Sequence, residues 1–219
     1  MNVEIGVSRV HFPVTSLGPG LRLGIWFQGC SIRCPGCISM DTWDESQTKT
    51  TVAELLDSVD LYLSRAQGIT ISGGEPFDQP AALITLLKAL RERAGPEVDV
   101  LVYSGYPRPH LEDTLQQVSG CIDALMADPY ERETPQTLAL RGSDNQRFHI
   151  LTPLGQRRLA EYQRSRTAED DRLDFQHDGQ GGIWLAGIPR RGDLERLKRA
   201  VGSQGGQLVS SEQWMGECV

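Results

Sequence analysis

The pattern of apolar and polar residues alternates between strand-like and helix-like segments along the first part of the chain. Apolar runs of strand length occupy residues 21–28, 68–71, 98–105 and 121–128, and a glycine or proline lies within two residues after each run. Apolar positions at helical spacing lie between them, at 51–66, 81–94 and 111–118. Thr51 and Glu54 have the spacing of a capping box at the start of the first helix. Strands that alternate with helices predict an α/β fold with a parallel sheet and crossover helices.

The second part of the chain has a less regular pattern. Residues 129–145 predict a long loop, and a loop of that length is often functional. The elements predicted after it are a strand at 146–151, a helix at 154–165, a hairpin at 172–189 that turns at Asp178–Gly182, a helix at 192–202 and a strand at 205–210. We expect a core domain over 1–189 and a C-terminal extension with a tail over 190–219.

The unusual loop sequences all follow predicted strands. A cysteine-rich loop follows the first strand, and "SGGEP", "YSGY" and "MADP" follow the next three. The carboxyl ends of parallel strands meet at one edge of a sheet, where α/β proteins place their chemistry. The four loops therefore predict a functional site at this edge.

Composition narrows the class of protein. The chain has 22 Lys and Arg against 29 Asp and Glu, a net charge of −7, which argues against nucleic acid as the main partner. No apolar run reaches the ~18 residues of a membrane span, and the start lacks a secretory pattern, so we expect a cytoplasmic protein without a membrane partner. In that compartment, clustered cysteines indicate metal binding or redox chemistry.

The segment "GCSIRCPGC" places Cys30, Cys34 and Cys37 in a C-x3-C-x2-C spacing. Three thiolates suit a [4Fe–4S] cluster with one open iron. Zinc is an alternative, although a structural zinc site normally has four ligands and no second pair or histidine lies nearby. Cysteines without a metal are the third interpretation. The spacing favours the open cluster.

The "SGGEP" segment alone is weak evidence for a functional site, because glycines and a proline after a strand commonly form a simple turn. Gly73 and Gly74 have unobstructed carbonyl groups, and Glu75 adds a carboxylate. Together they could receive the ammonium group of a ligand.

The cysteine motif and the GGE turn together resemble the signature of the radical S-adenosylmethionine (SAM) superfamily. The resemblance implies a single-domain, partial (β/α)6-type barrel in which Cys30, Cys34 and Cys37 hold a [4Fe–4S] cluster. It also implies that Gly73, Gly74 and Glu75 bind the SAM amino group. An electron from the cluster then cleaves SAM to methionine and a 5′-deoxyadenosyl radical. No catalytic residue is expected beyond the cluster and SAM.

Longer stretches resemble the proteins that activate glycyl radical enzymes and anaerobic ribonucleotide reductases. They are "GPGLRLGIWFQGC", "DTWD", "SGGEPFDQP", "DALMADPY" and "LRGSDNQR", and the resemblance covers roughly residues 5–189. It implies that Ser104, Asp128, Asn145 and Arg147 shape the SAM pocket, with a monovalent cation as a further ligand near Asp128. The alternatives are a turn residue before a proline for Asp128 and a solvated loop for Asn145 and Arg147.

Two residues depart from the family pattern. Gly36 stands before the last cysteine, where the superfamily often has an aromatic residue and the ribonucleotide reductase activators have glycine. Leu17 stands before "GPG", where activators of glycyl radical enzymes usually carry an acid. Leu17 therefore puts the usual partner in doubt.

The resemblance favours an activase that takes hydrogen from a glycyl-radical-type partner protein, with an electron donor such as flavodoxin or ferredoxin. Cys121 and Cys218 are too few for an auxiliary cluster, and a small enzyme can be shielded by a protein substrate. Cys121 is expected in the core and Cys218 in the tail. The alternatives are a stand-alone enzyme acting on a small molecule or peptide, and a non-catalytic metal-binding interaction module.

Overall fold

The computed structural model describes residues 2–45, 49–177 and 182–208 of the 219-residue chain. The strands in these ranges are β1 (Glu4–Val14), β2 (Arg22–Phe27), β3 (Lys49–Thr51), β4 (Gly68–Gly73), β5 (Asp99–Tyr103), β6 (Ala124–Ala127), β7 (Arg147–Ile150), β8 (Asp174–His177) and β9 (Ile183–Ala186). The α-helices are α1 (Val52–Leu63), α2 (Pro80–Arg93), α3 (Glu112–Gln117), α4 (Pro153–Arg158) and α5 (Asp193–Ser203). None of these described helices combines the length and apolar character needed to cross a membrane.

The described strands form one seven-stranded sheet and a separate hairpin of β8 and β9. The order in the sheet is β3-β1-β2-β4-β5-β6-β7. The four central strands β2, β4, β5 and β6 are parallel, whereas β1, β3 and β7 pair antiparallel. The predicted α/β fold with a mostly parallel sheet is confirmed. The finer prediction of a partial (β/α)6-type barrel is not confirmed, because four described strands share the parallel register.

The predicted strands and helices around the central sheet are confirmed. The continuous apolar runs became strands because both faces of the sheet are covered. Helices α1, α2 and α3 pack their apolar faces on one side, in the largest core cluster. Residues of the 129–189 segment cover the other side. Thr51 and Glu54 form the predicted capping box at the start of α1.

Strand β1 was not predicted from the sequence. Its apolar residues alternate as Ile5 and Val7, and then as Val10, Phe12 and Val14, with a change of phase between the two groups. The register against β2 shifts between Val7 and Arg9, which marks a bulge at that point. The bulge inserts the extra residue that breaks the period of two, so the simple alternation test fails.

The second part of the chain differs from the prediction at two places. The helix predicted over 154–165 ends at Arg158, and a short 3₁₀ turn follows over Ala160–Gln163. This tighter turn brings Leu159 and Tyr162 to the same apolar cluster, because residues three apart eclipse in a 3₁₀ helix. The strand predicted at 205–210 is absent over 205–208, and 209–210 lie outside the described residues.

The hairpin of β8 and β9 is confirmed, although residues 178–181 of its turn lie outside the described residues. Asp174 fastens the hairpin to the β1–β2 connection. Its carboxylate accepts hydrogen bonds from the backbone N–H and hydroxyl groups of Thr15 and Ser16, at 2.7 to 3.0 Å. Burial opposes the charge of Asp174, but these hydrogen bonds hold its pKa below the usual value. A core boundary after residue 189 stays a prediction.

A buried ion-pair network stabilises the sheet at the amino ends of the parallel strands. Asp99 at the start of β5 is fully buried and lies 2.7 Å from the Arg22 guanidinium and 2.6 Å from that of Arg158. Arg22 also donates to the Thr70 hydroxyl and the Ile69 carbonyl, each at 2.7 Å. The network joins β2, β4, β5 and α4 at the edge opposite the cysteine loop.

We predict that Asp99→Asn lowers the free energy of unfolding by about 3 kcal/mol, because it leaves the fully buried Arg22 cation without its counter-ion. Urea unfolding measures the loss. Asp60→Asn is the control, since Asp60 is largely exposed and pairs with Arg93 at 3.7 Å, and we expect it to change stability by less than ~0.5 kcal/mol. Equal effects of the two substitutions would contradict the prediction.

Candidate metal centre

The three clustered cysteines lie on the loop that follows β2, as predicted. Cys30, Cys34 and Cys37 are partly exposed free thiols. The loop winds tightly, since Arg33 has φ 50° and Gly36 has φ 75°, both in the left-handed region. The Cys37 N–H donates to the Cys34 carbonyl at 3.1 Å and closes the last turn of the loop.

Backbone N–H groups face each of the three sulfurs. Burial raises the pKa of the Cys30 thiol, and the N–H groups of Arg33 and Ile32 oppose this rise. Burial also raises the pKa of the Cys34 thiol, and the Tyr130 N–H opposes this rise. For Cys37, burial raises the pKa to about 11, although the Ser39 N–H favours the thiolate. Metal binding at these sulfurs must therefore release protons.

This donor set fits an iron–sulfur cluster. Soft thiolates with backbone N–H groups directed at the sulfurs are the ligands that such clusters use. Within the described ranges, no three His, Cys, Asp or Glu side chains converge in a way that would hold a single metal ion. The loop thus presents three separate thiols.

The predicted glycine turn after β4 packs directly against the cysteine loop. The Gly74 N–H donates to the Phe27 carbonyl at 2.9 Å, and the Glu75 N–H donates to the Gly29 carbonyl at 2.8 Å. A Cβ atom on Gly74 would lie 1.9 Å from the Gly29 oxygen. Gly73 has φ +109° and is equally crowded, by the Phe27 backbone. The two glycines are required because two backbones meet here without side chains between them.

The Glu75 carboxylate is buried and fully engaged by hydrogen bonds. Its Oε1 accepts from the Phe77 N–H at 3.0 Å and the Ser104 hydroxyl at 2.9 Å, and its Oε2 accepts from the Gly105 N–H at 2.7 Å. Burial raises the pKa of Glu75 to about 7, and the hydrogen bonds limit the rise. The structure therefore joins two predicted site residues, Glu75 and Ser104, by a direct hydrogen bond.

The loops after β5 and β6 continue this series of contacts. The Ser104 N–H donates to the Met126 carbonyl at 2.8 Å, and the Asp128 N–H donates to the Tyr106 carbonyl at 3.0 Å. Asp128 has φ 84°, so a strained backbone turns the chain at this point. The predicted residues after β4, β5 and β6 thus lie along one edge of the sheet.

Asp128 and Arg147 form a bidentate ion pair. The Arg147 Nε and Nη2 atoms lie 2.6 and 2.7 Å from the two carboxylate oxygens of Asp128. The Arg147 side chain is 58% exposed and that of Asp128 is 11% exposed, so the pair lies at the protein surface with its carboxylate largely covered. Asn145 donates to the Pro129 carbonyl at 2.9 Å, which places it beside the pair.

Sequence reasoning missed a polar cluster that ties three of these loops together. The Asp78 carboxylate accepts from the Ser31 N–H at 2.8 Å and from the Tyr106 hydroxyl at 2.7 Å. Gln79 adds a second link, since it accepts from the Gly6 N–H and donates to the Gln28 carbonyl. The available signal was the "FDQP" that directly follows the glycine turn, but only the fold shows its partners.

We predict that Gly74→Ala destabilises the chain by about 2 kcal/mol or more, because its methyl group would overlap the Gly29 carbonyl. Thermal or urea unfolding measures the loss. Gly95→Ala is the matched control, since the nearest atom to its new Cβ would lie 4.0 Å away. A Gly74→Ala chain as stable as the Gly95→Ala chain would contradict the packing described here.

We predict that Glu75 makes the free energy of unfolding of the metal-free chain decrease as pH rises. A carboxyl group whose pKa rises from 4.5 to about 7 on folding stabilises the fold below pH 4.5, and this contribution is lost as pH increases towards 7. Between pH 5 and 8, we expect wild type to lose roughly 2 kcal/mol relative to Glu75→Gln.

Urea unfolding at several pH values measures this difference. The exposed Glu92→Gln serves as the control, and its pH profile should follow that of wild type. Parallel profiles for wild type and Glu75→Gln would contradict the prediction.

Comparison with known proteins agrees with this geometry. The family described as "4Fe-4S single cluster domain" matches residues 16–149, more than half of the chain. The anaerobic ribonucleoside-triphosphate reductase-activating protein of Enterobacteria phage T4 is 34% identical over 137 residues, which are 60% of this chain and 85% of that protein. The pyruvate formate-lyase-activating enzyme of Clostridium pasteurianum is 42% identical over 81 residues, 35% of this chain and 34% of that enzyme.

One solved structure shows a more distant similarity. QueE from Escherichia coli matches with a TM-score of 0.38 and 17% sequence identity, over 47% of this chain and 52% of that chain. The family assignment depends on the sequence matches. They show that the chain belongs to the 4Fe-4S single cluster domain family, among the radical SAM activating enzymes.

Proposed function

We propose that the chain cleaves SAM reductively at a [4Fe–4S] cluster and thereby removes a hydrogen atom from a glycine of a partner protein. The observation that carries this proposal is the direct backbone contact between the cysteine loop and the glycine turn. The Glu75 N–H donates to the Gly29 carbonyl, next to Cys30, at 2.8 Å. A group held by the turn would therefore lie beside a cluster held by the loop.

Cys30, Cys34 and Cys37 are the proposed ligands of three irons. The partly exposed thiols and the N–H groups that face them support this assignment. With three thiolate ligands, one iron would stay open to SAM. When bound, the reduced cluster and SAM would supply a 5′-deoxyadenosyl radical for the removal of the hydrogen atom.

On the SAM side, the chain holds and orients the cofactor. Gly73 and Gly74 offer carbonyl groups to the SAM ammonium group, and the buried Glu75 fixes the shape of their turn through its three hydrogen bonds. Ser104 is joined to Glu75 and completes this part of the pocket.

Asp128, Asn145 and Arg147 form the outer wall of the proposed pocket. Arg147 is already paired with Asp128, so it reaches a SAM carboxylate only by exchanging that partner. A monovalent cation near Asp128 would require the same exchange. The partial (β/α)6 barrel around the pocket stays a prediction.

The proposed protein partner follows from the two named relatives and from the cysteine count. Outside the cysteine loop the chain has only Cys121 and Cys218, too few for an auxiliary cluster. Those relatives activate a ribonucleoside-triphosphate reductase and a pyruvate formate-lyase. Cys121 lies near Arg91, whose guanidinium donates to the Cys121 carbonyl, and Cys218 lies outside the described residues. We therefore propose a glycyl-radical-type enzyme as the substrate, with flavodoxin or ferredoxin as electron donor.

Leu17 supports a partner interface that differs from that of activators with an acid at this position. Its side chain is only 5% exposed and packs with Val14, Trp26 and Ala186 beneath the β8–β9 hairpin. The position that carries the acid in other activators is thus part of the apolar core in this chain.

We predict that the anaerobically reconstituted chain, reduced in the presence of SAM, produces 5′-deoxyadenosine. Chromatography measures the product. Cys34→Ala should abolish it by removing a cluster ligand, whereas Cys121→Ala is the matched control and should retain it. Deuterium transfer from a labelled glycine of the partner would then identify the acceptor.

Three outcomes separate the alternatives. Many turnovers on a small molecule or peptide without a protein partner would favour the stand-alone enzyme. One zinc per chain and no sulfide would overturn the cluster assignment and favour the interaction module. A chain with a complete cluster that does not cleave SAM, even with a glycyl-radical-type partner present, would overturn the proposed activity.

A further inference from the structure

Trp43 is held against the cysteine loop by its backbone. The Trp43 carbonyl accepts from the Cys30 N–H at 3.3 Å, and the preceding Thr42 carbonyl accepts from the Gly29 N–H at 2.7 Å. Gln28 holds the chain on both sides of Trp43, because its side-chain amide donates to the Asp44 carbonyl at 2.7 Å and to the Asp41 carbonyl at 3.2 Å. The segment after the last cysteine therefore folds back onto the first one.

The indole N–H of Trp43 is buried and has no hydrogen-bond partner among the described residues. Buried N–H groups are almost always paired, and an unpaired one costs about 1–3 kcal/mol. A donor of this kind, fixed within a ligand loop, indicates that its acceptor forms only when the site is loaded. A packing role for Trp43 would not by itself require its N–H to be buried.

The nearest of the three clustered cysteines along the chain is Cys37. The Ser39 N–H already donates to this sulfur at 3.4 Å. Burial dominates and raises the pKa of Cys37, while the Trp43 side chain acts in the opposite direction. A neutral thiol is a weak acceptor, whereas a thiolate bound to iron is a charged and much stronger one.

We propose that the indole N–H of Trp43 donates a hydrogen bond to the Cys37 sulfur in the cluster-loaded protein and raises the reduction potential of the cluster. This inference rests on the proposed ligation of the cluster by Cys37. Reduction adds negative charge to the iron–thiolate unit, so a hydrogen bond to sulfur stabilises the reduced form more than the oxidised form. Trp43 is therefore a tuning residue that makes the cluster easier to reduce.

The test is a redox titration of the reconstituted full-length protein, followed by electron paramagnetic resonance. Trp43→Phe keeps an apolar ring and removes the N–H. We expect the ratio of reduced to oxidised cluster at a fixed potential to fall about tenfold, a shift of about 59 mV to more negative potential. Iron and sulfide contents per chain, measured on the same samples, should equal those of wild type.

Two further variants isolate the hydrogen bond. Trp184→Phe is the matched control, since Trp184 is a partly exposed tryptophan of β9 that stacks on Arg9, and its potential should equal that of wild type. Replacement of Trp43 by 3-benzothienylalanine substitutes sulfur for the N–H with almost the same shape. This analogue should shift the potential as Trp43→Phe does, and it serves if the phenylalanine variant folds poorly.

The outcomes distinguish this inference from the proposed function. A cluster whose potential is unchanged in both Trp43 variants would overturn the hydrogen bond and leave the proposed activity standing. A wild-type chain that takes up no iron–sulfur cluster would overturn the proposed function, and this inference with it.

Discussion

The contact between two stretches of bare backbone determines how the site is built. Gly73 and Gly74 approach Phe27 and Gly29 so closely that no side chain fits between the glycine turn and the cysteine loop. Neighbouring parallel strands β2 and β4 bring the two loops to the same edge, and the absent Cβ atoms let them touch. The relative position of the cysteine loop and the glycine turn is therefore set by main-chain hydrogen bonds. Such bonds do not depend on side-chain rotamers.

The two edges of the parallel sheet differ in how their polar groups are arranged. At the amino ends, Asp99 and Asp123 are buried and paired with Arg22, Arg158 and Arg91, which locks the strands together. At the carboxyl ends, the polar groups lie on loops and several are partly exposed. A firmly joined edge allows the opposite edge to consist of loops that carry strained backbone, free thiols and an unpaired indole N–H.

The sequence predicts those features that depend on neighbours along the chain. The apolar runs of β2, β4, β5 and β6, the capping box of α1 and the loops that follow the strands all have local patterns. Strand β1 was not predicted, because a bulge shifts its apolar–polar alternation by one residue. The family could also be identified from the sequence, since the cysteine spacing and the glycine turn are local motifs.

Contacts between distant residues were not predictable in this way. The Asp78 cluster joins residues 31, 78 and 106, which no periodicity links. The engagement of Arg147 by Asp128 depends on the antiparallel pairing of β6 with β7, and the sequence alone does not give that register. The roles of Ser104, Asp128, Asn145 and Arg147 therefore stay predictions, even though the fold places them along one edge.

The anchoring of the hairpin by Asp174 has a consequence for the order in which the chain matures. Asp174 reaches back to Thr15 across 159 residues of sequence. During synthesis, the β1–β2 connection leaves the ribosome long before its partner exists, and contacts of such separation form late in folding. Strands β2 and β4 and their two loops are complete much earlier in the chain. The cysteine loop is thus complete before the hairpin packs on the neighbouring apolar residues.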